Sequence, residues 1–530
     1  MNHSALVTLF LEALNSKGGL LSVIGKNDEA MSCFNESLRY ADNVIERATA
    51  KTSIANILQQ QGKFDAALEA IEEGKNLLRG FKGTSGRTAG KSLAHAALLG
   101  KECWIFRMKG DMDRALNAVN SAMEVLGSIR VDTGTAAEIE ALKAELNNDL
   151  AAVLYVKSDF SAALEIWKKN LCYYEEISDI PGVITASANT GNVYWQQGAL
   201  DAAKDAFSKA LSAAVKIGIK RHVGALANNL GLVHHELGED DTAMIFYRKY
   251  LAISIEMGDK TGEGRAWSNI GIIYKNRGKY AEALACHEKQ LSLSESSGDR
   301  SGISMSTGNI AMIHLNRGDL TKAENMYRRY LKINRAIGYK RGMGIAHLNL
   351  GAVHIKRRRY GVAEKAMREA LRIFEAIGDR YFMGEAKIGF AEIYLGYAGS
   401  GFLGKAREFA EGALDEARKI KNLSLEAEAC CILGTCGSRA LNLLSEKEFR
   451  GKDILASSIK AAEHFKRSLA LFKTLKRLRN EADALIEYGN FLKRLAALGI
   501  RIPGKNETGI SCLERAKRIY RSLAIPFPKI

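Results

Sequence analysis

A 40-residue repeat constrains the fold of this 530-residue chain more than any other feature. From residue 185 to residue 358 the sequence aligns with itself at a shift of 40 without a gap. The first segment of each repeat has a small residue, followed three positions later by a ring side chain. The small residues are Gly191, Gly231, Gly271, Ala311 and Gly351, and the rings are Tyr194, His234, Tyr274, His314 and His354. Such spacing is helical. A glycine ends this segment in four repeats, and Arg358 takes that place in the fifth.

A second segment completes each repeat. It has an alanine, then a bulky residue four positions on, then a leucine after four more, and a glycine closes it. The alanines are Ala203, Ala243, Ala283, Ala323 and Ala363, and the bulky residues are Phe207, Tyr247, His287, Tyr327 and Met367. Glycine is the expected residue just past a helix end. Only four prolines occur in the chain, which also favours helices. Each repeat is therefore predicted to be a helix, a turn and a longer helix.

This pattern resembles the tetratricopeptide repeat (TPR). The resemblance lies in a small residue at the eighth position, a ring at the eleventh and alanine at the twentieth, although the usual closing proline is absent and the family period is 34. Residues 262–302, with their NIG, HEKQL and GDR elements, look most like the LGN/Pins family of spindle-orientation scaffolds and less like kinesin light chain. The GoLoco motifs of LGN/Pins have no counterpart, so a G-protein role is not implied. Similar arrays also serve as sensor arms of bacterial and archaeal regulators.

The predicted fold is all-α. We expect one α-solenoid, a right-handed superhelix of about ten helix–turn–helix repeats. Three parts are expected: irregular repeats over 1–145, a regular superhelix over 146–420, and a divergent basic cap over 421–530. In such an array each repeat contacts mainly its neighbours.

One position of the first helix is asparagine in five consecutive repeats. At about 100° per residue, Asn269 shares a helix face with Arg265, Ile272 and Asn276, opposite an apolar face. In a helical-repeat superhelix this face is expected to line the concave groove. An amide side chain can donate to and accept from an extended peptide backbone. The candidate peptide-binding residues are Asn189, Asn229, Asn269, Asn309, Asn349, Arg265, Asn276 and Asn316.

Apolar residues flank the asparagines on this face: Leu232, Ile272, Met305, Met312 and Ile345. Polar groups beside exposed apolar ones suit a peptide groove. The resemblance implies that Asn269 and Arg265 hold a target's main chain. The alternative is structural, since duplication copies an asparagine and its amide could bridge to a neighbouring helix.

No motif predicts catalysis. Residues 86–92, GRTAGKS, lack the glycine at position 85 that a phosphate-binding loop requires, so we expect a flexible loop between repeats. His234, His314 and His354 stand where other repeats have tyrosine, which favours packing. Cys286 and His287 should point to different sides of a helix, and the eight cysteines show no disulfide or metal spacing. The expectation is a non-enzyme without cofactor or metal.

Charge gives a weaker signal. The formal net charge is +16, and residues 401–530 hold 25 Lys and Arg against 15 Asp and Glu. Segments rich in Lys and Arg usually form the solvated face of helices, but an acidic protein or nucleic acid could also bind them. No run of about 18 apolar residues occurs, and the N-terminal segment reads as an amphipathic helix without a signal peptide. We therefore expect a cytoplasmic protein that does not enter membranes.

The favoured function is a protein-interaction scaffold. Its partner would be a protein or peptide segment, extended and acidic or amphipathic, bound in the groove of the middle repeats. One alternative is a ligand-sensing regulatory module that acts with a separate signalling enzyme or transcription factor. Another, less favoured, is nucleic-acid binding through the basic C-terminal region. The sequence leaves the partner's identity and the oligomeric state open.

Overall fold

The secondary structure is helical throughout the described part of the chain. The structure is a computed structural model, and it describes residues 3–23, 26–81, 85–129, 135–397, 400–443, 453–475, 477–502, 507–523 and 527–528. Within these ranges there are α-helices, one short 3-10 helix and no strand. The predicted all-α helical-repeat fold is confirmed.

The chain forms two compact units, Met1–Leu237 and Gly238–Ile530. The N-terminal unit contains α1 (His3–Val23), α2 (Asn27–Tyr40), α3 (Val44–Gln60), α4 (Phe64–Arg79), α5 (Ser85–Met108), α6 (Met112–Gly127), α7 (Ala136–Val156), α8 (Phe160–Glu176), α9 (Ile180–Gln196), α10 (Leu200–Lys216) and α11 (Lys220–Glu236). The C-terminal unit contains α12 (Asp240–Glu256), α13 (Lys260–Asn276), α14 (Tyr280–Ser297), α15 (Arg300–Arg317), α16 (Leu320–Ala336), α17 (Lys340–Lys356), α18 (Tyr360–Ile377), α19 (Arg380–Gly396), the 3-10 helix Ser400–Phe402, α20 (Leu403–Lys419), α21 (Leu423–Leu443), α22 (Asp453–Thr474), α23 (Leu478–Ala497) and α24 (Gly509–Ser522).

The repeated small residues let the two helices of a repeat approach each other closely. A Cβ added at Gly191 would lie 2.7 Å from the ring of Phe207, and one added at Gly271 would lie 2.8 Å from the imidazole of His287. The bulky residue of the second helix therefore fills the space that the small residue leaves on the first. Phe207 and His287 are fully buried. This contact is the physical reason for the pairing of small and bulky positions in the sequence.

The junctions between repeats combine a left-handed residue with a helix cap. Gly258 has φ +67°, and the next residue, Asp259, accepts a hydrogen bond from the backbone N–H of Gly262 at 2.9 Å. Asp299 caps α15 in the same way, through Gly302 at 3.0 Å. Glycine tolerates positive φ without steric cost. In the turn between the two helices of one repeat, Arg358 adopts φ +58° in place of a glycine.

The expected loop at residues 86–92 is not present. These residues lie inside α5, which begins at Ser85. A phosphate-binding loop bends the backbone around the phosphate and is preceded by a strand, whereas this segment continues as a helix to Met108. The Lys91 ammonium donates a hydrogen bond to the carbonyl oxygen of Phe81 at 3.2 Å. The prediction of a loop was therefore wrong.

Candidate functional site

The five predicted asparagines occupy equivalent places on the first helices of their repeats. Asn189, Asn229, Asn269, Asn309 and Asn349 are each half-buried on α9, α11, α13, α15 and α17. Arg265, Asn276 and Asn316 are exposed on the same helices. We call the side of the first helices that carries these eight residues the ladder face. We describe it separately in each compact unit.

Two of the ladder amides bond to the preceding repeat. The Asn189 Nδ2 donates to Asn148 Oδ1 at 3.2 Å, and the same oxygen accepts from the Trp167 indole at 2.8 Å. The Asn309 Nδ2 lies 3.5 Å from Ser268 Oγ, at the outer limit of a hydrogen bond. In both cases the acceptor stands 41 residues earlier, next to the ladder position of the preceding repeat. This part of the ladder supports the structural alternative.

Two other ladder amides have no such acceptor. The residues 41 positions before Asn229 and Asn349 are Ala188 and Gly308, which carry no polar side chain. Among the described residues, the side chains of Asn229 and Asn349 make no hydrogen bond, whereas Asn269 has an interaction within the protein. Because Asn229 and Asn349 are only half-buried, their amides remain available to a ligand. The repeat pattern gives these two kinds of asparagine the same position, although the identity of the residue 41 positions earlier distinguishes them.

The apolar flank of the ladder face is partly accessible. Met305 is 52% exposed, and Leu232, Ile272 and Met312 are half-buried. Ile345 is also half-buried and packs against the hydrophobic core of α17 and its neighbours. The face therefore offers an apolar contact at Met305 beside polar amides, as a bound peptide requires.

Carboxylates occupy the corresponding positions further along the C-terminal unit. Glu385 and Glu392 on α19 stand 40 residues after Ile345 and Ala352, and Glu428 follows on α21. The surrounding protein raises the pKa of Glu392 to about 7, although its side chain still reaches solvent; Lys356 opposes this rise and Glu385 adds to it. Desolvation, with repulsion from Glu385 and Glu392, raises the pKa of Glu428. The expectation of an acidic partner rested on the positive net charge and did not include this acidic group.

Within the basic C-terminal part of the chain, the Lys and Arg residues between 473 and 479 lie partly against the protein. The Arg479 guanidinium donates to the Tyr280 hydroxyl at 3.0 Å, which joins α23 to the start of α14. Burial, with a contribution from Arg477, lowers the pKa of Lys275. Lys473 is exposed, and Lys476 lies outside the described residues. Arg479 is therefore half-buried in a contact within the C-terminal unit and is not a purely solvated charge.

Candidate metal and nucleophile groups do not assemble a reactive site. Nowhere in the described ranges do three or more His, Cys, Asp or Glu side chains form a group that could hold a metal ion. Cys286 and His287 are both buried, and burial lowers the pKa of His287 to about 4. His354 is buried and His314 lies 3.4 Å from Asp319. In the described part of the chain no helix has the length and apolar character needed to cross a membrane.

Several solved structures are similar to this chain. BtubC from P. vanneervenii is 19% identical, with a TM-score of 0.38 over 43% of this chain and 92% of its own. The apo form of RapI is 15% identical, with a TM-score of 0.43 over 55% of this chain and 99% of its own. A signal-transduction ATPase with a tetratricopeptide repeat sensor from Pyrococcus horikoshii is 14% identical, with a TM-score of 0.46 over 78% of this chain and 57% of its own.

Sequence comparison identifies the type of repeat. No curated protein matches the chain. A family model described as tetratricopeptide repeat matches residues 184–256 and 263–336, and a second model with the same description matches residues 309–376. These matches cover the helix pairs that carry the asparagines. The regular middle of the chain is therefore built of tetratricopeptide repeats.

Proposed function

We propose that this protein is a non-catalytic interaction scaffold whose ladder face binds an extended segment of a partner protein. The observation that carries the proposal is the pair of unbonded amides, Asn229 and Asn349. A half-buried amide without a partner inside the protein has two N–H donors and one oxygen acceptor to offer. In the C-terminal unit, which carries Asn349, the exposed Met305 supplies an apolar contact on the same face. An extended backbone presents the matching donors and acceptors at regular intervals.

The charge along the face favours a partner segment of mixed character. Arg265 is exposed and would attract acidic residues, which supports an acidic or amphipathic segment. Glu385, Glu392 and Glu428 have the opposite sign and attract basic residues. A segment that carries acidic residues near α13 and basic residues near α19 would complement both. Two further expectations from the sequence, the resemblance to the LGN/Pins family and a cytoplasmic location, are part of this proposal.

Site-specific photo-crosslinking tests the location of binding. A benzophenone amino acid is placed at Met305, on the ladder face, or at Ile245, which is 68% exposed on the second helix α12 of the same unit. After irradiation in cells that express the full chain, crosslinked proteins are identified by mass spectrometry. The captured segment is then synthesised and its affinity for the purified protein is measured. The proposal expects capture at position 305 and not at 245. Equal capture at both positions, or a captured segment that does not bind, contradicts it.

A further inference from the structure

A polar cavity of about 350 Å³ lies in the N-terminal unit. Its volume is at the lower end of the range for ligand pockets, about 300–1,000 Å³. Five helices contribute to the lining, which includes Gln59 from α3, Trp104 from α5, Glu145 and Asp149 from α7, and Tyr174 from α8. This is room for one long side chain.

The cavity lies where the ladder face begins. Asp149 stands 40 residues before Asn189 and so holds the ladder position of its repeat. Asn148, beside it, lines the cavity and accepts the amide of Asn189 at 3.2 Å. A segment bound along the ladder face of this unit would therefore pass the mouth of the cavity.

The lining includes acceptors that its own donors leave unpaired. The side-chain oxygen of Gln59 is buried and has no hydrogen-bond partner in the described part of the chain. Within the same residues, Asp149 and Glu145 form no ion pair. Burial keeps water from the Gln59 oxygen, so the missing hydrogen bond is costly there. Asp149 is half-buried and Glu145 is exposed. A ligand with several N–H donors and a positive charge would pair with all three groups.

Other charged groups near Asp149 leave this preference intact. Lys101 lines the cavity and, with Arg107, lowers the pKa of Asp149, but burial outweighs both and raises it to about 6. Glu145 raises it further. One lysine against two carboxylates leaves the lining with a negative balance at neutral pH.

Aromatic walls favour a guanidinium over an ammonium group. Trp104 and Tyr174 both line the cavity. The Tyr174 ring lies against the backbone of Gly182, where an added Cβ would come within 2.3 Å of the ring, so its position is fixed by packing. A planar guanidinium stacks on aromatic rings and has five N–H donors in a fork that matches a carboxylate.

We propose that this cavity binds an arginine side chain of the partner segment. The proposal rests on the proposed function, because it assigns one residue of the segment that the ladder face holds. It can nevertheless be tested separately, since binding of a short peptide to the cavity can be measured without the partner.

The test uses the full chain labelled with 5-fluorotryptophan and ¹⁹F NMR. The protein has four tryptophans; Trp104 lines the cavity, and Trp267 in the other unit is the internal control. The probes are the capped tripeptide acetyl-Ala-Arg-Ala-amide, its lysine and citrulline analogues, and free L-arginine. We expect the arginine tripeptide to shift the Trp104 signal and to leave that of Trp267 unchanged, and to bind at least tenfold more tightly than the citrulline analogue. Equal affinity of these two overturns the proposal, and tighter binding of free arginine overturns its assignment to a peptide.

Variants separate binding from folding. Asp149→Asn should weaken binding of the arginine tripeptide by about 10- to 100-fold, the value of a charged hydrogen bond, while the melting temperature holds or rises, because a partly desolvated charge is removed. Gln59→Leu should also weaken binding without loss of stability. Asp113→Asn, at a carboxylate 86% exposed on α6, should leave the affinity unchanged. Unaltered affinity in Asp149→Asn contradicts the proposal. A tripeptide that binds normally while crosslinking at Met305 fails would contradict the proposed function alone.

Discussion

Single alanine substitutions along the ladder separate its structural amides from its ligand-facing ones. Each compact unit offers a matched pair. Asn189 is bonded and Asn229 is not in the N-terminal unit, and Asn309 is bonded and Asn349 is not in the C-terminal unit. All four lie at the same place on their helices, so differences between the variants report the hydrogen bond.

The expected changes in local stability follow from two opposing terms. A side-chain hydrogen bond contributes about 0.5–1.5 kcal/mol net, and alanine favours a helix over asparagine by about 0.5–0.7 kcal/mol. Asn189→Ala should therefore destabilise α9 by up to about 1 kcal/mol. Asn309→Ala should be near neutral, because its contact is stretched to 3.5 Å. Asn229→Ala and Asn349→Ala lose no bond and should stabilise their helices by about 0.5 kcal/mol.

Hydrogen exchange with mass spectrometry is the suitable assay. A long repeat array does not unfold in two states, so one melting temperature does not isolate a single helix. Local exchange gives the opening free energy of each helix. We expect α9 to exchange faster in Asn189→Ala and α11 to exchange more slowly in Asn229→Ala. Equal loosening by the two substitutions would refute the distinction between bonded and unbonded amides.

Binding should change in the opposite order. With the captured segment as ligand, Asn229→Ala and Asn349→Ala should each weaken binding by about 0.5–1.5 kcal/mol, or about 2- to 12-fold. Asn189→Ala should weaken it less, because one of its N–H groups is already used by Asn148. Unchanged affinity in both Asn229→Ala and Asn349→Ala would remove the ladder face as the binding site.

Three further predictions concern stability and nucleotides. Arg358→Gly should stabilise helices α17 and α18 locally by about 0.5–1 kcal/mol in hydrogen exchange, because a side chain at φ +58° costs about 1–2 kcal/mol and glycine recovers part of it; Gly278→Arg, at φ +72°, is the inverse control and should destabilise. Burial, with repulsion from Glu385 and Glu392, raises the pKa of the half-buried Glu428 from 4.5 to about 8, so its contribution to stability is complete below pH 4.5 and is lost as the pH rises through 8; Glu428→Gln should raise the melting temperature at pH 9 and leave it unchanged at pH 4.5. Millimolar ATP should not shift the melting temperature, since Lys91 lies within helix α5, and a shift that Lys91→Ala abolishes would contradict this.

Contacts at a fixed sequence offset could be predicted from the repeat. The small residue and the bulky residue 16 positions later, such as Gly191 and Phe207, meet because one helix pair recurs with the same turn. The acceptors of the ladder amides also follow a fixed offset of 41 residues. The sequence alone therefore distinguishes the bonded from the unbonded asparagines, since Ala188 and Gly308 have no side-chain acceptor for a hydrogen bond.

Contacts without a fixed offset could not be predicted. Arg479 and Tyr280 are 199 residues apart, and their contact depends on small rotations added over several repeats. The cavity beside Asp149 combines side chains of five helices, whose convergence no periodicity indicates. Residues 86–92 were predicted to be a loop because they contain two glycines close together. In the structure helix α5 continues through them.

The salt dependence of the association rate should differ in sign between a basic and an acidic partner segment. Many arginines lie on second helices, where they pair with glutamates, as Arg329 does with Glu295 and Arg368 with Glu364. These charges still contribute to the long-range field, which is positive at +16. A basic segment bound near Glu385 would be repelled during approach and attracted on contact, so added salt should speed its association. An acidic segment bound near Arg265 would be attracted from a distance, and salt should slow it. Stopped-flow association rates of the captured segment between low and physiological salt therefore decide which charge dominates the encounter, independently of affinity.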